Sequence, residues 1–171
     1  MTEILYTGRH LELVKEGKWE FVRRHKASAV VVIIAVTPAD ELLLVEQHRV
    51  PVGASVIELP AGLVGDEDAG EDILIAANRE LDEETGWTAR ELHIVNRGPS
   101  SAGLTSEVDT MVHARDLTHT SAGGGVPGEG ITVRAIPRAQ VMAWLNERAK
   151  AGFLIDHKVF AGLWWLAQEQ P

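Results

Sequence analysis

The first 25 residues alternate apolar and polar side chains around two turns, Tyr6-Thr7-Gly8-Arg9 and Lys15-Glu16-Gly17-Lys18. Alternation with period two, punctuated by turn residues, predicts hairpin strands over residues 2 to 25. Ala29 to Val36 (AVVVIIAV) is a near-continuous β-branched run, the pattern of a strand covered on both faces. Thr37-Pro38-Ala39-Asp40 interrupts it, and Glu41 to Glu46 (ELLLVE) reads as its neighbour. Val56 to Leu59 is a short strand ending in Pro60-Ala61-Gly62, and a polar loop follows from Val64 to Gly70. A helix is expected from about Glu71 to Thr85, stopped by Gly86 just past its end. Leu92 to Val95, Val108 to Ala114 and Ile131 to Ile136 read as further strands. His119 to Gly130 (HTSAGGGVPGEG) is glycine-rich and expected to be mobile. Arg138 to Lys150 reads as a helix, and Asp156 to Gln168 as a final one with Asp156 as N-cap. Strands dominate and no repeat or linker divides the chain. The expected class is α+β, one domain over residues 1 to 171.

Composition narrows the function. The 171 residues, 45% of them hydrophobic, suffice for one well-buried core. A net charge of -9 argues against a nucleic-acid partner, which would require a basic face. A small phosphorylated substrate stays compatible, because a local arginine or a bound cation can supply positive charge. The absence of cysteine excludes disulfides and thiolate metal sites. Met1 to His10 holds no signal-peptide-like apolar stretch, and no run approaches the ~20 apolar residues of a membrane helix. The expectation is a soluble, cytoplasmic protein without a membrane partner. His10, His25, His48, His93, His113, His119 and His157 are scattered without metal-ligand spacing and read as structural or surface residues. Trp164-Trp165 reads as core or interface packing.

The chemistry concentrates on the helix from Glu71 to Thr85. Leu74, Ala77 and Leu81 form one apolar face, suited to packing on a sheet. Glu80, Glu83 and Glu84 gather on the adjacent face, since residues three and four apart are neighbours. Carboxylates crowded at a helix C-terminus repel one another and oppose the macrodipole. Hard oxygen donors in such a cluster are what Mg²⁺ or Mn²⁺ selects. Glu80 and Glu84, one turn apart, are the expected metal ligands. Glu83 is a further ligand or a water-orienting carboxylate, and Arg79 can hold one carboxylate through a bidentate pair.

Gly65, Glu71, Arg79-Glu80-Leu81, Glu83-Glu84 and Gly86-Trp87 carry a more specific pattern. They fit the Nudix box: glycine, five residues, glutamate, seven residues, Arg-Glu-aliphatic, one residue, Glu-Glu, one residue, glycine, apolar. The chain therefore resembles a Nudix hydrolase, a family that cleaves nucleoside diphosphates linked to another moiety. The resemblance implies a mixed β-sheet sandwiched between α-helices, here with an N-terminal β-hairpin subdomain. Glu58-Leu59-Pro60-Ala61-Gly62 also resembles the run that, in ADP-ribose pyrophosphatases, ends at the first glycine of the box. That favours Gly62 over Gly65 as the equivalent glycine and implies the Ala61 carbonyl as a metal ligand.

The flanks resemble the same branch. Trp19-Glu20 followed by Arg24 is similar to its adenine-binding segment, where tryptophan stacks on the base and glutamate accepts from the exocyclic amine. The resemblance extends to a homodimer in which this segment, residues 1 to 25, crosses to the partner. Glu46-Gln47-His48-Arg49 resembles the run whose arginine contacts the diphosphate. Ser101-Ala102-Gly103-Leu104-Thr105-Ser106-Glu107 resembles a further segment of the branch, with Ala102 where proline is usual. Glu107 is expected to contact the substrate ribose or to close an ion pair with Arg49. Glu129 precedes the late strand, where the branch carries a glutamate that swings in as general base or completes the metal shell. Arg79, Glu83 and Glu129 make up the implied catalytic group.

The reaction implied is Mg²⁺-dependent cleavage of ADP-ribose, a nucleoside diphosphate sugar, to AMP and ribose 5-phosphate. GDP-mannose or a UDP-sugar is the rival substrate. A module that senses a nucleotide without hydrolysing it is the rival of another class.

Overall fold

The computed structural model describes residues 2–25, 27, 29–65, 70–126 and 128–169. Strands β1 (Glu3–Thr7), β2 (Leu11–Glu16) and β3 (Trp19–Arg24) pair antiparallel, so two consecutive hairpins share β2 and make a three-stranded sheet. Apolar side chains on both of its faces stay exposed, among them Ile4, Leu5, Tyr6, Leu11, Leu13 and Trp19, while Val14 is fully buried.

The β-branched run forms β4 (Ala29–Ala35), and its pleat explains its composition. Val31, Ile33 and Ala35 enter one hydrophobic core while Val32 and Ile34 enter another. A strand that feeds two cores has no face left for polar side chains. β4 lies between β7 (Ala61–Val64) and β9 (Val108–His119), with β8 (Trp87–Pro99) beyond β9. The β4–β9 pair is parallel; β4–β7 and β8–β9 are antiparallel. A second four-stranded sheet runs β10 (Thr132–Pro137), β5 (Glu41–Arg49), β6 (Ala54–Glu58), β11 (Leu154–Ile155). Helix α1 (Ile73–Thr85) contributes Ala76, Ala77 and Leu81 to the first core. Helices α2 (Val141–Lys150) and α3 (His157–Gln168) fill the second with Val141, Leu145, Val159 and Leu166. The result is the expected α+β arrangement of mixed sheets between helices.

Some elements depart from the sequence reading. β7 begins at Ala61, where the proline and glycine of Pro60-Ala61-Gly62 suggested only a strand end; Val32 pairs with Ala61 and Val31 with Gly62. β8 runs well beyond Leu92 to Val95 because it stays paired to β9 from Trp87↔His119 to Pro99↔Val108. Most of its side chains outside the first core are exposed, which weakens the apolar signal. α1 starts at Ile73, with the Asp72 carboxylate accepting from Leu74 N at 2.8 Å. A short 3-10 turn, Arg138–Gln140, precedes α2. Of the predicted polar loop from Val64 to Gly70, residues 66–69 lie outside the described residues. Among the described residues no helix is long and apolar enough to cross a membrane.

The glycine-rich segment is docked. Gly124 N and Gly125 N donate to the carbonyls of Glu84 and Glu83 at 2.8 and 3.0 Å, satisfying the C-terminal end of α1. Gly123 has φ +63°, and a Cβ there would stand 2.4 Å from the Thr85 carbonyl carbon. Gly17, in the β2–β3 turn at φ +60°, has nothing within 4 Å of the same position. Gly17→Ala is therefore expected to cost ~1 kcal/mol of stability, the backbone penalty alone. Gly123→Ala should cost about 2 kcal/mol more, because backbone must move. Urea denaturation of the two variants checks the difference, and equal losses would show that the loop is not packed on α1.

Candidate active site

The carboxylates of α1 converge where β7 passes its C-terminal turns. A Cβ on Gly62 would fall 1.9 Å from the Glu80 carboxyl carbon, so that carboxylate occupies the space a side chain would take. This supplies the physical reason for a glycine inside a strand. Gly62 is thus the glycine against the carboxylates. Gly65 serves Glu71 instead, its N–H donating to Glu71 Oε2 at 3.3 Å.

Arg79 distributes its donors over three acids. Nε and Nη2 grip Glu71 at 2.9 and 3.2 Å, while Nη1 reaches Glu80 at 2.9 Å and Glu83 at 3.2 Å. Its bidentate partner is Glu71, not a member of the glutamate cluster. The guanidinium holds the Glu71 carboxyl below its usual range, and the Arg79 pKa is raised in return. Glu83 is the most exposed of the cluster and turns toward Arg79.

Glu84 sits differently. Only 7% of it is exposed, and Ala61 N donates to its Oε2 at 3.0 Å. Burial pushes its pKa up to about 8, with repulsion from Glu80 and Glu129 adding to the rise and Arg49 opposing it. Glu129 carries its carboxylate against Gly125, where a Cβ would be 2.2 Å from Oε2, and accepts from Val126 N at 2.9 Å. Gln47 Nε2 donates to the Glu129 carbonyl at 3.1 Å, tying this loop to β5.

Arg49, the last residue of β5, meets Glu58, the last of β6: Nε lies 2.9 and 3.1 Å from the two carboxylate oxygens, and Nη2 also bonds Oε2. That hydrogen bonding raises the Arg49 pKa further. Glu58 has no role in the sequence reading beyond its place in the Glu-Leu-Pro-Ala-Gly run. Its burial is a tertiary fact that spacing does not signal.

The remaining predicted residues gather around β3. Trp19, 57% exposed, and Phe21 line a cavity of about 400 Å³ with Glu16, Ala102, Gly103, Thr105 and Ser106. The segment after β8 docks there through Val22 N to Leu104 O at 2.8 Å and Ser106 N to Val22 O at 3.0 Å. Glu20 follows Trp19 on a strand whose side chains alternate, and it does not line that cavity. Arg24 Nε pairs with Glu107 Oε2 at 2.6 Å. Glu107 thus closes its ion pair with Arg24, and the alternative of a pair with Arg49 is set aside because Glu58 already holds that guanidinium. Of the histidines, His113 is buried, 3.1 Å from Glu169, and burial lowers its pKa.

Among the described residues no group of three or more His, Asp or Glu side chains is arranged as a ready-made metal cage. The donor set nonetheless suits a hard divalent cation. Glu80 offers carboxylate oxygens beside a side-chain-free Gly62 and Glu84 beside the Ala61 amide, and among the described residues the buried Glu84 carboxyl has no cationic hydrogen-bond partner.

A test follows from Glu84 in the metal-free protein. Its raised pKa means that burial is free below the ordinary carboxylate range and costs stability as the pH rises toward about 8. With chelator present, Glu84→Gln should leave stability nearly unchanged at pH 5. At pH 9 it should raise stability by on the order of 5 kcal/mol, the value of about 8 lying roughly 3.5 units above 4.5 and each unit being worth about 1.4 kcal/mol. Denaturant titrations at both pH values check this; a variant no more stable at high pH would show that Glu84 carries no unfavourable charge.

Comparisons with known proteins place the chain in a family. The NUDIX domain family profile matches residues 25–156. The methanol dehydrogenase activator of Bacillus methanolicus is 31% identical over 134 residues, 73% of this chain and 69% of that protein. The ADP-ribose pyrophosphatase of Bacillus subtilis is 31% identical over 125 residues, 68% of this chain and 64% of that protein. The crystal structure of an ADP compounds hydrolase superposes with a TM-score of 0.66 at 27% identity, over 85% of this chain and 80% of that one.

Proposed function

The chain belongs to the NUDIX family as a Nudix hydrolase, and we propose that it hydrolyses the diphosphate bond of ADP-ribose to AMP and ribose 5-phosphate in the presence of Mg²⁺. The observation that carries this reading is the convergence of two carboxylates on the start of β7, Glu80 against Gly62 and Glu84 on the Ala61 amide, with Glu129 and Arg49 among the charges that act on Glu84. The names of relatives that act on ADP compounds support the choice of nucleotide.

In this reading Glu80, Glu84 and the Ala61 carbonyl hold the cation, with Glu83 beside them as a further ligand or water-orienting group. A divalent ion bound there supplies positive charge to the diphosphate and acidifies water. Arg79 keeps the carboxylates in place through its bonds to Glu71, Glu80 and Glu83. Arg49 adds positive charge where the transition state gathers negative charge. Glu129 accepts the proton of the attacking water. The water oxygen joins one phosphorus as the bridging P–O bond breaks, and the other phosphate leaves with the bridging oxygen. Trp19 stacks on adenine in the cavity beside Ala102 and Gly103, while the Arg24–Glu107 pair lines a neighbouring pocket that shares Ser106 with it. The exposed apolar side chains of the N-terminal sheet support a homodimer formed through residues 1 to 25, within a single domain of 1 to 171.

Ala102, standing where the ADP-ribose branch usually has proline, keeps other sugar nucleotides in the test. Rates of Mg²⁺-dependent hydrolysis of ADP-ribose, GDP-mannose and UDP-glucose should favour ADP-ribose by ~10-fold or more, the discrimination expected of a site that hydrogen-bonds one base. A preference for either rival would move the substrate, and no turnover on any of them would support a sensing module. Glu129→Gln should lower kcat by roughly 10²–10⁴ with little change in substrate Kd, the usual loss for a general base. A kcat within a few-fold of wild type would return that role to Glu83 or Glu107.

A further inference from the structure

We infer that Glu58 is the positioning residue for Arg49: it fixes the guanidinium on the side of the Glu84 carboxyl, and turnover depends on it. The inference rests on the reading of Arg49 as the group that meets the diphosphate.

Three observations carry it. The first is geometry: both carboxylate oxygens of Glu58 are used, by Nε and Nη2 of Arg49. This side-on grip fixes the guanidinium plane, which a single bond would leave free to turn. Among the described residues the Nη1 edge takes no protein hydrogen bond, and the nearby charges include Glu84.

The second is burial. Glu58 is 8% exposed, whereas the Arg49 side chain keeps 42% of its surface. The hidden member of the pair is the anchor, and the accessible member is the one a ligand can reach. The third is the backbone beneath them. Arg49 ends β5 and leads into a 3-10 turn, Val50–Val52, which Gly53 closes at φ 61°. β6 returns from that turn antiparallel, with Val45 paired to Glu58 and Arg49 to Ala54. The tight hairpin brings Glu58 back along the same face to meet the long arginine side chain. A free arginine would lose its rotamer freedom on meeting substrate; one held by Glu58 has lost it on folding.

The bland alternative is that the pair only clips the β5–β6 hairpin. A double-mutant cycle on kcat and KM with Mg²⁺ and ADP-ribose separates the two, with thermal unfolding measured on each variant. Glu58→Gln should lower kcat ~10-fold and leave KM within about twofold, because Arg49 acts mainly in the transition state. Glu58→Asp keeps the charge but retracts it by one methylene, and should also lower kcat. Adding Glu58→Gln to Arg49→Ala should change kcat by less than about twofold, since the guanidinium it positions is gone. Losses that multiply in the double variant, or a fall in unfolding temperature without a change in kcat, would overturn the inference while leaving the role of Arg49 intact. Wild-type turnover in Arg49→Ala would overturn that role and the inference with it.

Discussion

Negative charge crowded at one end of a helix is the constraint around which the rest of this molecule is arranged. Glu80, Glu83 and Glu84 lie in the last two turns of α1, where the macrodipole already disfavours them. The surroundings answer with separate devices. Arg79 spans two of the acids, Glu80 and Glu83, and grips Glu71 outside the cluster. The amides of Gly124 and Gly125 take the carbonyls of Glu84 and Glu83, lessening the negative end of the dipole. Ala61 N–H serves the buried carboxylate of Glu84. Two glycines, Gly62 and Gly125, give up side chains so that the carboxylates of Glu80 and Glu129 can occupy that volume. No full positive charge is bonded directly to Glu84 by these devices, so its carboxyl stays next to the repulsion of Glu80 and Glu129.

The same charge constraint explains why the two hydrophobic cores share β4. Its alternate residues pin α1 on one side and the β5–β6 hairpin with α2 and α3 on the other. The carboxylates come from the first of these layers and the Arg49–Glu58 pair from the second. Their approach is fixed by one strand with no exposed face, and a rigid scaffold of this kind is what precise placement of opposing charges needs.

Much of this was legible in the chain. β4 betrayed its double burial by its unbroken β-branched run, and α1 announced itself by periodicity and Gly86. The box spacing identified Glu80 and Glu84 because helical neighbours follow from sequence distance alone. What could not be read depends on contacts distant in sequence or on geometry. Arg24 and Glu107 are 83 residues apart, and nothing local indicates that they pair. Glu58 resembled the end of an apolar strand until the hairpin brought Arg49 to it. β8 was underestimated because hydrogen bonding to β9, not apolar patterning, sets its length.

The glycine-rich loop is the instructive misreading. Five glycines between Gly123 and Gly130 suggested freedom along the whole segment, yet Gly123 packs against the end of α1, Gly124 and Gly125 donate their amides to its last carbonyls, and Gly125 leaves room for the Glu129 carboxylate. Conformational permissiveness and steric permissiveness draw on the same residue, and composition cannot tell them apart. The distinction bears on the proposed base. If Glu129 moves, the upstream anchor at Gly124 and Gly125 stays with the helix it caps, and the motion is confined to the few residues that follow. It must release three hydrogen bonds: Val126 N to the Glu129 carboxylate, Glu129 N to the Val126 carbonyl, and Gln47 to the Glu129 carbonyl. The two between neutral groups are each worth ~1 kcal/mol net, and the one to the carboxylate roughly 1.5–3 kcal/mol. A short arm on a fixed anchor can therefore exchange its own amide for a water proton at the cost of these bonds, whereas a wholly mobile loop would first have to lose the entropy of its entire length.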